Sequence, residues 1–312
     1  MNAPVERRKL GLGKVSQEVL ERSVFPHLPL ADVPRLDGGV IQCQDEVVIA
    51  HSPSIGVPME SLGFFAFHYA ASNVAALFAL PRHLVAGLYL PVGSDESDLE
   101  VIAKGLGDEA RRYGVTIVAG QTAAYAVIEA PFVTATCLGE RVGTPVDPAL
   151  GDSVIVIGAV GGEAVWLKEL SRGNTSDKWR GFTPLPIMQR LQGIDGVSSM
   201  HDVSEGGVKR ALLELSEGLG VRLDVTTYDV RLAEGVLSLG EDPLRLPTYG
   251  ALVALTRWEA AEAVERACVE LGVPCSKVGV VEAGGGLIVD GKKVDHLERV
   301  DLDRLYGSFR DV

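Results

Sequence analysis

Cysteine is scarce in this chain: four positions among 312 residues (Cys43, Cys137, Cys268 and Cys275), none of them spaced as a CxxC pair. Each sits in an apolar run, which excludes a disulfide framework and points to buried free thiols in a reducing cytoplasm. Positive charge is also short. The 29 Lys and Arg against 42 Asp and Glu leave a net charge of −13, and the basic residues cluster only at Arg7-Arg8-Lys9, so no footprint for nucleic acid exists. No run of 18 apolar residues occurs. The longest candidate, 62–90, is interrupted by His68, Ser72, Asn73, Pro81, Arg82 and His83, so no membrane span is expected. The first ten residues lack the apolar core of a signal peptide. The histidines show neither HxxxH nor HExxH spacing, which leaves zinc without support, and His68 and His201 read as packed, hydrogen-bonded residues. A GxSxG elbow for an acyl-transfer serine is missing too. No tandem repeat of 20–50 residues is visible.

What is present is a steady alternation of helix and strand signals, with 36 glycines at many of the turns. A short helix is expected over 16–24. A hairpin should join Val40-Ile41 to Val47-Val48-Ile49 across the polar turn Gln44-Asp45-Glu46. Leu62, Phe65, Ala66, Tyr69, Asn73, Leu77 and Leu80 fall on helical spacing and predict a helix over 60–80, ended by Pro81. A strand is expected over 84–90, then a helix opened by Ser94, Asp95 and Glu96 and stopped by Gly114. Strands should follow over 115–119 and 132–138, the latter alternating Val133, Ala135 and Cys137 with Thr134 and Thr136. Gly143, Pro145, Pro148 and Gly151 mark a boundary, so domains of 1–145 and 146–312 are expected. Beyond it, strands are expected over 153–157, 221–225, 250–255 and 276–281, with helices from Val208 to Leu219 and over 258–271. The polar stretch 171–183 reads as a long loop or mobile flap. The fold class is therefore α/β or α+β.

Four glycine-rich segments invite a chemical reading. His201-Asp202-Val203-Ser204-Glu205-Gly206-Gly207 lies between an apolar stretch and a clear helix, and Asp202 to Glu205 has capping-box spacing. Free N–H groups at such a helix start make an anion site, and paired glycines let a ligand approach. An ordinary helix start with glycine packing would show the same residues. Gly11-Leu12-Gly13-Lys14 pairs glycines with a cation, or is a flexible tail. Gly158-Ala159-Val160-Gly161-Gly162 misses the dinucleotide fingerprint's spacing. The segment 286–293 imitates a P-loop but lacks its final Ser or Thr and reads as a hairpin.

In their order, five segments resemble the PurM-like superfamily of aminoimidazole ribonucleotide synthetase-like proteins. They are 61–75 (SLGFFAFHYAASNVA), 90–94 (LPVGS), 118–122 (VAGQT), 200–208 (MHDVSEGGV) and 242–252 (DPLRLPTYGAL). The group they are most similar to is the archaeal AIR synthase-related proteins near the hydrogenase maturation protein HypE. The resemblance implies two α/β domains, the N-terminal ones pairing their sheets into a shared β-barrel across a homodimer. It also implies ATP held through Mg²⁺ in a cleft between domains, and phosphorylation of an amide-type oxygen or another small acceptor. The chain departs from that pattern where the metal-binding acids belong. Asp37 fills one place, but Ser52-Pro53 stands for an Asp-Pro, Asn73 for an Asp, and Gln121 in Ala119-Gly120-Gln121-Thr122-Ala123 for an acidic or His position. The cysteine-bearing tail of HypE has no counterpart in 301–312, so HypE's reaction is not expected.

The expectation from this resemblance is an ATP-binding protein with a thinned magnesium site. Asp37 would hold the metal and Lys14 would sit near the phosphates. Asp202, Ser204, Gly206 and Gly207 would line the cleft with Asn73, Gln121 and Thr122 beside it. The alternative is a homodimeric scaffold without catalysis, or a protein that binds a phosphometabolite without metal. Abundant Val, Leu, Arg and Glu with few Asn and Gln fit a thermophile's composition.

Overall fold

The computed structural model describes residues 38–42, 46–143, 145–297 and 300, arranged as two sheets with helices against them. The first, five-stranded sheet has the order β1-β2-β5-β3-β4. β1 (Gly38–Gln42) and β2 (Glu46–Ser54) form the expected hairpin, with Val40 opposite Val48 and Ile41 opposite Val47. β5 (Phe132–Arg141) lies at the centre, and its burial alternates as its apolar-polar pattern demands. β3 (Ala79–Pro91) and β4 (Thr116–Tyr125) both run longer than expected, and β4 forms the outer edge.

Helix α1 (Met59–Ala76) is the densest element, with Leu62, Phe65, Phe67 and Val74 all buried. Apolar residues all round a helix leave it no water-facing side, so it must be enclosed. Its expected extension to residue 80 does not form. Phe78 turns the chain with φ 57°, and Ala79 already pairs with Arg141 in the sheet. Pro81 therefore ends no helix; it sits in β3, where the pairing with β5 slips between Pro81 and His83 and its missing N–H is tolerated. Helix α2 (Glu96–Arg112) packs on α1 through Ile102, Leu106 and Ala110. Its cap is Asp95 rather than Ser94, closed by Asp95 N–H donating to Asp98 Oδ2 at 2.9 Å, and Gly114 at φ 66° follows its end.

The second, seven-stranded sheet has the order β12-β11-β8-β10-β6-β9-β7. β6 (Ser153–Ile157) is wholly buried, as a continuous apolar run requires. β7 (Val197–Asp202) and β9 (Leu252–Thr256) follow it towards one edge, with β10 (Cys275–Glu282) and β8 (Arg222–Val225) towards the other. β11 (Gly286–Val289) and β12 (Lys292–Val294) make the expected hairpin, turned at Asp290 (φ 50°) and Gly291 (φ 74°). Helices α3 (Gly162–Ser171), α4 (Leu185–Leu191), α5 (Gly207–Leu219) and α6 (Ala261–Glu270) complete this half.

The stretch expected as a loop or flap over 171–183 is a solvent-exposed loop over 172–177 and is anchored after it. A 3-10 turn, Lys178–Gly181, buries Trp179 against Phe64 and Phe65 of α1, with centroids at 5.1 and 6.3 Å. One tryptophan supplies enough apolar area to fix a polar segment. Among the cysteines, Cys137 and Cys268 are buried and Cys275 is half-buried, while Cys43 lies outside the described residues. Burial pushes the Cys137 and Cys268 thiols up to about 12, which keeps them protonated and unreactive. No described helix is long and apolar enough to cross a membrane.

A single apolar cluster runs from β2 and β5 through α1 to α4, β6 and β7, so α1 is the common core of both sheets. The crossing of α1 and α2 is close at Gly63, where an added Cβ would stand 2.3 Å from Ile102 O and 2.4 Å from Leu106 N. Both neighbours are backbone and cannot rotate away. Gly63→Ala is expected to lower stability by about 1–3 kcal/mol, an overpacking cost, read from the urea midpoint of unfolding.

Candidate functional site

β6 and β7 both pair antiparallel with β9, so they run parallel to each other, and their last residues, Ile157 and Asp202, both register with Leu252. The two glycine-rich turns therefore leave the same end of the sheet, on either side of the entry to β9. After β6, Gly158 takes φ 103° and Gly161 caps α3 at φ 86°. After β7, Gly206 (φ 86°) and Gly207 (φ 67°) lead into α5. Between them lies Thr248-Tyr249-Gly250-Ala251, which stitches the turns together. Gly161 N–H donates to Thr248 Oγ1 at 3.0 Å, Tyr249 N–H to Glu163 Oε2 at 2.6 Å, and Val203 N–H to Ala251 O at 2.9 Å.

The expected capping box from Asp202 to Glu205 does not form. Two successive left-handed residues use up the turn, so the cap of α5 is Gly206, with no side-chain bond, and Asp202 is the last residue of the strand. The role of the glycine pair also differs in detail. A Cβ on Gly207 would stand 2.5 Å from Leu244 O and 2.7 Å from Leu246 O, and one on Gly206 would meet Arg210 Cβ at 2.9 Å. At Gly207 the close neighbour is the chain's own backbone.

Helix α1 reaches this end of the sheet. Ser72 Oγ and Tyr249 OH are 3.0 Å apart, and the rings of Tyr69 and Tyr249 meet edge to face at 4.5 Å. Burial raises both phenols well above their usual range, with Asp202 and Glu163 adding to the effect, so both stay neutral donors. Burial likewise pushes Glu163 up to about 7, helped by Glu205 and opposed by the Tyr249 N–H. His201 is buried too, which lowers its affinity for a proton, but the Asp202 and Glu214 carboxylates outweigh this and hold it at about 10. Its Nδ1 donates to Asp202 O at 2.7 Å and its Nε2 stands 3.4 Å from Glu214 Oε2. His201 is thus a charged post inside the second half, braced between strand and helix.

Of the residues singled out in the sequence, Asp202, Ser204, Gly206 and Gly207 share the turn between β7 and α5. Asn73 follows Ser72 on α1, one residue from the contact with Tyr249. Gln121 and Thr122 lie elsewhere, on the exposed edge strand β4, opposite Gly87 and Leu88 of β3. Lys14 and Asp37 lie outside the described residues. Ser52 is in β2 opposite Ala135. The magnesium that the resemblance implies was tested against these positions. Among the described residues no group of three His, Cys, Asp or Glu side chains converges on a point. Asn73 lies on α1 and Gln121 on β4. Residues that local sequence patterns did not single out are Ser72, Glu163, Thr248 and Tyr249. The signal was present only as motif letters, Ser72 beside Asn73 and the Thr-Tyr-Gly of 242–252.

The chain matches two family models, "AIR synthase related protein, N-terminal domain" over residues 36–141 and "AIR synthase related protein, C-terminal domain" over residues 150–292. It is 29% identical over 273 residues to carbamoyl dehydratase HypE of Rhizobium leguminosarum bv. viciae, covering 78% of each chain. It is 26% identical over 242 residues to thiamine-monophosphate kinase of Pyrococcus horikoshii, covering 74% of each. A solved structure of hydrogenase maturation protein HypE in complex with ATP superposes with a TM-score of 0.71 at 22% identity, covering 93% of this chain and 97% of that one.

Glu163 makes stability depend on pH. A carboxyl at about 7 when folded, against its ordinary 4.5, binds a proton more tightly in the folded state. Its contribution is complete below 4.5 and is lost as pH rises through about 7. Glu163→Gln keeps an acceptor for Tyr249 N–H and removes the titration. The difference in unfolding midpoint between variant and wild type is expected to grow in the variant's favour across that interval and then level off.

Proposed function

Because the chain belongs to the AIR synthase related family, we propose that it binds ATP through its phosphates at the shared end of β6, β7 and β9 and transfers a phosphoryl group to an amide-type oxygen or another small-molecule acceptor. The observation that carries this is the pair of strand-to-helix turns whose ends register on Leu252, each opening a helix with no side-chain cap. An uncapped first turn leaves N–H donors at the positive end of the helix dipole, the backbone feature that phosphate recognition uses. The fold supports the same reading, since it is shared with HypE in complex with ATP and with AaThiL complexed with AMPPCP and TMP, the latter at a TM-score of 0.74. In this reading the turns bind and orient the phosphates. Tyr249, held neutral by burial and bonded to Ser72, fixes α1 against the turn. Asp37, which lies outside the described residues, would hold the Mg²⁺ in this reading, and no step is derived through the ion.

A second reading, binding of a phosphometabolite or a scaffold role without catalysis, has one specific observation in its favour. Phe64, Phe65, Trp166, Trp179 and Tyr249 fill the space between α1 and the second half with ring against ring. Space filled this way is closed to an acceptor molecule. Calorimetric titration with ATP, with and without Mg²⁺, on wild type and Asp37→Ala, separates the readings. Binding that requires Mg²⁺ and is abolished by Asp37→Ala supports the first. Absence of heat with any nucleotide, with phosphometabolites still bound, overturns it in favour of the second.

The same reading includes a homodimer joined through the first sheet. β4 is an edge strand exposed along nearly its whole length, and Ile117 and Val118 are 43% and 55% exposed. A long apolar edge with unpaired N–H and C=O groups invites pairing with another strand. The wild type is expected to be dimeric in light scattering after size exclusion, and Ile117→Lys with Val118→Lys to be a folded monomer. A monomeric wild type at high concentration removes the dimer from the proposal.

A further inference from the structure

His68 on α1 is wholly enclosed, tilted at 45° against Phe64 with centroids 4.2 Å apart and edge-on to Tyr113 at 5.5 Å. Its two ring nitrogens are both used. Nε2 lies 3.0 Å from Glu109 Oε2 on α2, and Nδ1 lies 2.7 Å from Thr183 Oγ1, in the segment between the Trp179 turn and α4. A carboxylate can only accept, so the proton sits on Nε2 and points at Glu109. Nδ1 is then a bare acceptor, and the Thr183 hydroxyl must be the donor. The order hydroxyl, imidazole, carboxylate is thereby fixed in direction: a base oriented by an acid and aimed at a nucleophile.

The charges agree with that order. Burial lowers His68 from its ordinary value, so the ring is neutral and free to take a proton. Glu109 is held below the carboxylate range, first by its bond to His68 and further by Arg112 and Arg180, so it is ionised. Arg112 Nη1 lies 3.7 Å from the same Oε2, and Arg180 lies over the Trp179 ring at 4.3 Å. Thr183 itself is half-buried, two residues beyond the exposed Gly181, whereas the imidazole behind it is sealed from water. Leu185 N–H donates to Thr183 Oγ1 at 3.2 Å and would also stabilise an alkoxide there. The backbone of Thr183 lies beside the turn that enters β9, its N being 3.3 Å from where a Cβ on Gly250 would stand.

From this arrangement we infer that Thr183 is a nucleophile for acyl transfer, with His68 as its base and Glu109 positioning that base. Thr183 Oγ forms a bond to the carbonyl carbon of an activated ester while its proton passes to His68 Nδ1. The ester C–O bond then breaks, and the departing oxygen takes the proton from His68. Water reverses the sequence and frees the acid. No oxidant, metal or nucleotide takes part, so this inference stands or falls independently of ATP binding.

A bolt that merely holds the 178–185 segment to α1 would have the same hydrogen bonds but no reactivity. The test is acetylation by p-nitrophenyl acetate, followed by release of p-nitrophenol and by peptide mass mapping. Wild type is expected to carry one acetyl group on Thr183. Thr183→Val should carry none, Thr183→Ser should restore it, and Glu109→Gln should slow acylation by about 100-fold. The rate should be flat above neutral pH and fall only below His68's ordinary 6.5, since burial lowers that group. Folded wild type that releases p-nitrophenol no faster than buffer alone and leaves Thr183 unmodified overturns the inference. So does equal labelling of the Thr183→Val protein.

Discussion

Enclosure of α1 is the constraint on which the rest of the architecture turns. A helix whose Leu62, Phe65, Phe67, Ala70 and Val74 are all inaccessible has no stable existence apart from the surfaces around it. It packs on β2 and β5 of the first sheet, on α2, and on β7 and α4 of the second half, so one face of each sheet shares it, while the other face of the second sheet has a separate core against α5. Where an apolar helix is enclosed this way, its few polar atoms need partners. Ser72 finds Tyr249, His68 finds Glu109 and Thr183, and the Ala75 carbonyl accepts from Gln192 Nε2 at 2.9 Å. All but the His68–Glu109 bond join parts of the chain that lie more than a hundred residues apart, and the Ser72–Tyr249 bond holds the Asn73 end of α1 at the end of the second sheet.

Much of the secondary structure was legible because it is written in short-range pattern. The alternation of Val133, Ala135 and Cys137 with threonines, the unbroken apolar run of β6 and the Asp290-Gly291 turn each need only neighbours along the chain to be decoded. Errors came where a distant contact overrode a local one. Pro81 looks like a helix stop, but the pairing of Ala79 with Arg141 had already taken the chain into a strand. Asp202 and Glu205 have the spacing of a capping box, but Gly206 and Gly207 take a left-handed course, and the carbonyls of Leu244 and Leu246 lie where a side chain at 207 would stand. The polar composition of 171–183 suggests a flap, but one buried Trp179 decides its state.

The candidate site divides along the same line. Asp202, Ser204, Gly206 and Gly207 are neighbours in sequence, so their grouping was visible in advance. Glu163, Thr248 and Tyr249 join them only because β6 and β7 share Leu252 as a partner, a fact of sheet order that no window of residues contains. Gln121 and Thr122 were singled out by motif resemblance, yet β4 carries them to the outer edge of the other sheet. The acids at this site are also unlike one another. Glu163 is buried and holds its proton to about 7, while Asp202 faces the charged His201.

The segment between α3 and α4 has a further consequence. Residues 172–178 are open to solvent, but the stretch is clamped downstream by the Trp179 ring and the Thr183 hydroxyl, and upstream by α3 itself. Cleavage of the backbone there would release nothing. Both new ends would stay seated on the second half, and the two fragments would travel together as one particle until unfolding separated them.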